Sequence, residues 1–596
     1  MDVFTSRPPA LHPAERVAEY RARGWWNDEM IDALFRRQVE RRGDRVAVVD
    51  PPDKTLLTGT AANRWTWAEL DSAVDHVAAA LLRQGIRPGD LVGVQLPNTT
   101  ELVVAYLALI RLGAVISPLP VQYREYEIGL LARLASFTAF ITAGRIADRD
   151  AAASAAAALA SVPSVRLILA FGDGLPDGVA ALDVSPAGSL DRADVALHLK
   201  GFRADPNDCV TVCWTSGTES TAKAVPRSHY DWLAMSWGAV DGAQMTGDDV
   251  ILNPFPLVNM ASIAGSMLPW LRLGATYVLH HPFTLPAFLR QIGEERVTYT
   301  LAPPAVLTML LQNDRLLRQA DLTSLRTVAS GSAPLAPWMV RGWQEDHGVA
   351  VVNFFGSNEG ICLLSAPADF EDPEIRAQYF PRYGVEGESW TSRTSEQVSL
   401  RLTDLVTGAE ITEPGRPGEL RIKGPMVFAG YLAGTTDVSP FDEQGYLCTG
   451  DVFEIAGERG RYLHHVDRSK DLIIRGGMNI APAEIESLLL SHPDVAEAAV
   501  IGFPDDVLGQ RACAVVTPRP GAVVGTDTLL DHLRRLHIAS FKLPERFAFV
   551  EALPRNPMGK IVKSRLRDML DAGELAPATD AIRPPGGKPL GHGGAG

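Results

Sequence analysis

Cysteine is scarce: five residues in 596 (Cys209, Cys213, Cys362, Cys448 and Cys513), odd in number and scattered. That excludes a disulfide scaffold and fits a reducing compartment; Cys209 and Cys213, with no second pair, read as packing residues on a strand. Positive charge is also in deficit, 56 Lys+Arg against 71 Asp+Glu, for a formal net charge of −15. A nonspecific nucleic-acid binder needs a basic face for phosphates, so nucleic acid is not an expected partner. Long apolar runs are missing. The best candidate, residues 102–121, carries Arg111 near its middle and then Pro118 and Pro120, which reads as a buried helix entering a strand. The first nine residues hold no apolar stretch of the secretory kind, so a soluble cytoplasmic chain with no membrane partner is expected.

Hydrophobic residues, by contrast, make up 46% and charged residues 21%, enough to fill large cores and unlike a disordered chain. Residues 1–40 set Tyr20, Trp25 and Trp26 among Arg and Glu and read as a helical arm on a larger body. From Asp44 onward short apolar runs alternate with amphipathic periods. Strands are expected at 45–50, 91–95, 250–252, 276–279 and 349–353, with helices at 70–84 and 105–112. That alternation predicts an α/β protein whose large N-terminal domain has mixed and parallel sheets. The Ala-rich residues 149–161 predict an exposed helix. Short strands and Gly turns predict a β-rich subdomain at about 390–467, and the polar segment 467–471 marks a boundary. Beyond it a helix at 483–490 and a strand at 498–502 predict a small α+β C-terminal domain, and residues 576–596 read as a disordered tail.

The densest chemical signal is 211–225, T-V-C-W-T-S-G-T-E-S-T-A-K-A-V, an apolar strand running into a small, hydroxyl-rich loop with Lys223. Small residues let backbone N–H groups approach a phosphate, hydroxyls donate to its oxygens, and the cation offsets its charge. A Walker loop is absent, and by itself the stretch is open between a phosphate site and a surface turn. S-G-S-A-P-L (330–335) would bring a flexible turn close to a ligand. V-V-N-F-F-G-S-N-E-G (351–360) ends in Glu359, an acid suited to Mg²⁺ beside phosphates or to capping a helix. Y-L-C-T-G-D (446–451) offers Asp451 to ribose hydroxyls or to its own Gly turn. Residues 466–486 join a charged hinge to Gly476 and Gly477, and L-P-R-N-P-M-G-K (553–560) holds Lys560 in a turn. Lys563, Arg565 and Arg567 read as an exposed helix face; His280–His281 and His464–His465 read as turn or surface residues.

In this order the segments resemble the adenylate-forming superfamily: acyl-CoA and aryl-CoA synthetases, peptide-synthetase adenylation domains and luciferases. W-T-W-A-E-L (65–70) also looks like the family's first motif, so the resemblance spans residues 40–570, and E-R-V-A-E-Y-R-A-R-G-W-W (15–26) is similar to aryl-acid AMP ligases. The resemblance implies an AMP-binding domain over 1–467, a hinge at 468–470 and a mobile domain over 471–575. It implies ATP, Mg²⁺ and coenzyme A, or a phosphopantetheinyl carrier protein, acting on a small carboxylic acid. Thr215, Ser216, Thr218 and Lys223 would hold phosphates; Ser332, Ala333 and Pro334 would line adenine, with Phe355 on its face and Asn353 near its amino group. Glu359 would bind Mg²⁺, Asp451 and Arg468 the ribose, and Lys560 would bridge the substrate carboxylate and the α-phosphate. Lys470 would be the pivot that exchanges Lys560 for the Gly476–Gly477 segment.

Departures from the family pattern are specific. Glu219, Ser220, Ala222 and Ala224 replace residues of T-S-G-T-T-G-x-P-K-G, and Asn358 stands where the family usually has a Thr before the metal-binding Glu. An amide there can still donate, with a different reach. The acyl pocket would be lined by Leu257, Val258, Asn259, Ala302, Pro303 and Gly331, favouring an aromatic, alicyclic or medium-chain acid over a dihydroxybenzoate. The expectation is an acid–CoA ligase, with a carrier-loading ligase and a silent nucleotide-binding homologue as alternatives.

Overall fold

Valine- and isoleucine-rich runs form strands where the alternation places them. The computed structural model describes residues 8–575 apart from 216–221, 361, 437, 476–477, 506, 537 and 557–558. Ser216, Thr218, Gly476, Gly477 and the expected tail therefore lie outside the described residues.

An eight-stranded sheet runs Cys362–Ser365, Ala350–Gly356, Thr327–Gly331, Tyr299–Leu301, Val250–Asn253, Thr276–Leu279, Val46–Val49, Arg64–Thr66. Its interior pairings are parallel and both edge pairings antiparallel. A seven-stranded sheet runs Ala224–Ser228, Cys209–Trp214, Val115–Pro118, Leu91–Val94, Ala139–Ala143, Leu167–Phe171, Val179–Leu182, antiparallel only at its first pairing. A six-stranded antiparallel sheet is built mainly from 399–468, with Tyr379–Pro381 joining from upstream of the expected subdomain. A separate five-stranded sheet gathers 473–549. One apolar cluster joins the first three sheets, while Ile473, Ile485, Leu489, Val500 and Val516 belong to the last sheet's own core.

Helix starts follow local chemistry. Thr66 accepts from the Glu69 amide while Glu69 accepts from the Thr66 amide, a reciprocal cap that opens Trp67–Arg83. Residues 102–121 form the buried helix Thr100–Leu112 and the strand Val115–Pro118. Arg111 is tolerated there because Asp32, Asp71 and Asp75 surround its guanidinium at 3.0, 2.8 and 2.6 Å. Among the described residues no helix is long and apolar enough to cross a membrane.

Two expectations are corrected. The Ala-rich helix Ala151–Leu159 is not exposed: Ala151, Ala152, Ala155, Ala158 and Leu159 are buried. Small side chains let it approach Glu125–Leu134 so closely that a Cβ on Gly129 would stand 3.1 Å from the Ala158 carbonyl. The basic C-terminal face is also not simply solvated. Lys563 pairs with Glu486 at 2.8 Å and Arg567 with Asp471 at 2.7 Å, tying the helix Lys563–Asp571 back to the boundary segment.

Candidate active site

The phosphate-type loop is a hairpin loop. Cys209–Trp214 and Ala224–Ser228 pair antiparallel, with Trp214 opposite Ala224. Its base is closed because the Thr215 amide donates to the Lys223 carbonyl at 3.0 Å and the Lys223 amide to the Thr215 hydroxyl at 3.3 Å. The Lys223 ammonium lies 5.3 Å from the centre of the Tyr431 ring, a cation–π contact. Cys209 and Cys213 are buried in this strand as expected, and burial pushes the Cys213 thiol up to about 12.

Glu359 sits on the turn between the antiparallel strands Ala350–Gly356 and Cys362–Ser365. Tyr431 donates its hydroxyl to Glu359 Oε1 at 2.9 Å, and the Phe428 amide donates to the Glu359 carbonyl at 2.9 Å. Burial, and then the Glu359 charge, raise the Tyr431 phenol well above its ordinary value, so it stays a donor. The next residue must be glycine: Gly360 has φ +111°, and a Cβ there would meet the Met426 carbonyl at 2.2 Å. Asn358 has a structural occupation. Its Nδ2 donates to the Trp214 carbonyl at 3.1 Å and its Oδ1 accepts from the Met260 amide at 2.8 Å. The side chain thus staples the loop's entry strand to the acyl-side helix.

Thr327–Gly331 delivers the S-G-S-A-P-L turn to the mouth of the same sheet. A Cβ on Gly331 would stand 2.0 Å from the Phe354 carbonyl, so the strands touch there only because the side chain is missing. Ser332 follows at φ +68°, a strained angle for a serine, and Ser332, Ala333 and Pro334 are exposed. Phe355 lies half-buried against Phe453 and His465, with ring centres 5.0 and 5.3 Å away. Asn353 is turned inward instead, its amide donating to the Ala377 and Arg376 carbonyls at 2.9 and 3.3 Å.

Asp451 and Arg468 face each other across an antiparallel pair, Arg468 Nε donating to Asp451 Oδ1 at 2.9 Å. Burial favours the neutral acid, but the nearby His465 ring, 3.9 Å away, and the Arg468 charge outweigh it and hold the carboxyl below its usual range. Lys560 lies on the C-terminal part, where the charges of Arg468, Asp451 and Glu359 act on it. Its turn is closed by the Asn556 amide to the Lys560 carbonyl (2.9 Å) and the Lys560 amide to Asn556 Oδ1 (3.0 Å). Lys560 is exposed at the surface, and desolvation by the surrounding protein, then repulsion from Arg468, lower the ammonium pKa against the pull of Asp451 and Glu359. Lys470 is exposed just past the Asp451–Arg468 pair; nearby, Asp467 accepts from the Ala483 amide at 2.8 Å and so meets the first turn of Pro482–Leu490.

The structure therefore brings Lys223, Glu359, Asp451, Arg468, Phe355 and Lys560 into one neighbourhood. The acyl-side candidates divide. Leu257 and Ala302 show no open surface: Leu257 is wedged under Tyr106, whose hydroxyl donates to its carbonyl at 2.6 Å, and the Ala302 amide donates to Ala329 at 3.0 Å. Val258 is nearly buried, Asn259 caps a helical turn through the Ser262 amide at 3.4 Å, and Pro303 and Gly331 are half-buried. Sequence reasoning missed the π-helical segment Ile263–Met267, where Gly265 faces Leu301 and Phe354 and its carbonyl accepts from the Tyr299 hydroxyl at 3.0 Å. It also missed Tyr431, Arg227 and His465. His465 belongs to a strand beside Asp451, not to a surface turn, and carries no local signal beyond its alternation with the buried Leu463.

Comparison with known proteins identifies the family and the fold. The family described as AMP-binding enzyme matches residues 35–432, and the AMP-binding enzyme C-terminal domain matches 484–560. The chain is 33% identical to a 3-[(3aS,4S,7aS)-7a-methyl-1,5-dioxo-octahydro-1H-inden-4-yl]propanoyl:CoA ligase of Mycobacterium tuberculosis, over 91% of this chain and 100% of the relative. It is 30% identical to a salicyl-AMP ligase / salicyl-S-ArCP synthetase of the same organism, over 92% of each. The crystal structure of ATP-bound MatB from Rhodopseudomonas palustris superimposes with a TM-score of 0.73 at 28% identity, covering 91% of this chain and 99% of that one.

Proposed function

The chain belongs to the AMP-binding enzyme family, and on that footing we propose that it joins a small carboxylic acid to the thiol of CoA through an acyl adenylate. The acid is aromatic, alicyclic or medium-chain. A carboxylate is already ionised at neutral pH, so its attack on the α-phosphorus of ATP needs no general base. The demands are alignment and neutralisation of charge. The observation that carries the reading is that Asp451 pairs with Arg468 at 2.9 Å while the charges of Arg468, Asp451 and Glu359 all act on Lys560, across the boundary between the two sheet systems.

Each residue has a task matched to its chemistry. Lys223 neutralises the terminal phosphates at the mouth of the hairpin loop, with Thr215, Ser216 and Thr218 as donors. Asp451, kept ionised, accepts from the ribose hydroxyls, and Arg468 holds that carboxylate in place. Phe355 and the 331–334 turn enclose the base. Lys560 draws the substrate carboxylate and the α-phosphate together. Among the described residues no group of three or more His, Cys, Asp or Glu could hold a metal by itself. Glu359 as a single carboxylate fits Mg²⁺, which is bound through one or two carboxylates plus substrate phosphates. When bound beside Glu359, the ion offsets the polyphosphate charge.

Residues 1–467 form the nucleotide-binding domain and 471–575 a mobile domain pivoting at 468–470 about Lys470. The rotation withdraws Lys560 and presents Gly476 and Gly477 to a pantetheine arm, consistent with the gating expected of such a step. A second reading, transfer to a separate carrier protein, draws on the similarity of residues 15–26 to aryl-acid AMP ligases and on the salicyl-S-ArCP synthetase relative. The test is pyrophosphate release over a panel of carboxylic acids, with free CoA or a holo-carrier as acceptor. AMP release stimulated by CoA supports the proposal, stimulation only by the carrier replaces it with the second reading, and no exchange of pyrophosphate into ATP with any acid points to a silent homologue.

A further inference from the structure

A segment with no helix or strand of its own, residues 424–435, lies against the candidate catalytic groups, and its shape is imposed from outside. Five consecutive carbonyls are each captured by a side chain. Arg16 donates to Gly424, Val427 and Phe428 at 3.1, 2.7 and 3.3 Å. The Trp26 indole donates to Pro425 at 3.0 Å and Arg227 to Met426 at 2.8 Å. Two of these three side chains come from the N-terminal arm, about 400 residues upstream, and Trp26 is buried and stacked on Tyr230 at 4.4 Å. On its other side the segment grips the site. Phe428 holds the Glu359 backbone, Tyr431 holds its carboxylate, the Lys223 ammonium lies over the Tyr431 ring, and the Leu432 amide donates to Ala224 at 3.0 Å.

We infer that Tyr431 is a positioning residue that presets Glu359 and Lys223, and that the N-terminal arm sets Tyr431 through Arg16 and Trp26. The inference rests on the reading of Glu359 as the carboxylate that meets the metal of the nucleotide. A hydrogen bond to one carboxylate oxygen fixes the direction of the other, and such outer partners commonly change metal affinity by roughly 10- to 100-fold when removed. Without the arm, the carbonyls of Gly424, Pro425, Val427 and Phe428 would turn to water, the segment would sample several shapes, and Tyr431 would lose its fixed place.

The experiment uses the full chain and Mn²⁺ as the probe, with binding in the presence of ATP read from loss of the free-ion electron paramagnetic resonance signal. Tyr431→Phe keeps the ring under Lys223 and removes only the hydroxyl. Its Mn²⁺ affinity falls roughly 10-fold while the melting temperature stays near that of the parent. Arg16→Gln, remote from the metal, shifts Mn²⁺ affinity in the same direction, and adding it to Tyr431→Phe weakens binding by less than it does in the parent, because the arm acts in part through the Tyr431 hydroxyl. Unchanged Mn²⁺ binding in a folded Tyr431→Phe overturns the role of Tyr431. A thermal loss in Arg16→Gln without a Mn²⁺ shift, or full additivity, overturns the role of the arm. Should Tyr431→Phe not fold, the Mn²⁺ response of Arg16→Gln decides by itself. Glu359→Gln separates the premise: if it keeps nucleotide-dependent Mn²⁺ binding, the assignment of Glu359 fails independently of Tyr431.

Discussion

Replacing Lys560 by Ala removes an ammonium without disturbing the turn that carries it. That turn is closed by backbone and Asn556 contacts in which the lysine side chain takes no part. On the proposed role, the loss is one cation beside developing negative charge. Comparable deletions remove about 10²- to 10³-fold in rate, about 2.7–4 kcal/mol of transition-state stabilisation. Pyrophosphate exchange into ATP should fall by that factor in Lys560→Ala, chiefly in kcat, while thioester formation from supplied acyl-AMP stays near the parent rate. The pH profile supplies an independent check. Desolvation by the protein around it and repulsion from Arg468 lower the Lys560 pKa, so in the free enzyme the cation is lost as pH rises at a lower pH than for an ordinary lysine. The alkaline limb of kcat/KM for adenylation should lie correspondingly low, and Lys560→Arg, charged throughout, should move it upward while lowering the maximum because the guanidinium fork fits differently. Equal losses in both half-reactions, or an alkaline limb indifferent to Lys560→Arg, would refute the electrostatic role.

Further outcomes follow from single contacts. His229 accepts from the Ile31 amide and is kept neutral by burial, its pKa lowered to about 4. With an unfolded value of about 6.5 its contribution is complete above that pH and fades as pH falls toward 4, roughly 2 kcal/mol being lost by pH 5. Guanidinium midpoints at pH 7.5 and 5.0 should differ less in His229→Gln than in the parent; parallel shifts would contradict this. Gly331→Ala forces a Cβ onto the Phe354 carbonyl at 2.0 Å, which should cost about 1–3 kcal/mol and raise the KM for ATP. A variant with parental stability and KM would show that the strands can part freely. Arg227→Met leaves Asp231 buried beside His12 and frees the Asn358 and Met426 carbonyls. Denaturant titration should record a loss of about 3–5 kcal/mol, and less than about 1 would mean the guanidinium is not needed there.

Local pattern made much of the fold legible. The alternation of apolar runs and amphipathic periods located strands such as Val46–Val49 and Val250–Asn253 because each records its own burial. It mistook the Ala-rich helix for an exposed one, since alanine has high helix propensity in water and also permits close packing. His465 was misplaced for a related reason: a half-buried strand position beside a carboxylate looks, residue by residue, like a polar turn. Asn358 was legible as a departure, but not as a staple between Trp214 and Met260, because those partners are 144 and 98 residues away.

By itself the sequence determined which charges are present and in what order: Lys223, Glu359, Asp451, Arg468 and Lys560, each close to an apolar run. Only the tertiary structure decided that they meet, that Asn353 turns inward, and that Tyr431 and the N-terminal arm hold the acid. The physical reason is range. Backbone preference and burial period act over a few residues and are written locally. A hydrogen bond from Tyr431 to Glu359, or from Arg16 to Phe428, spans 72 or 412 residues and exists only after the sheets have packed.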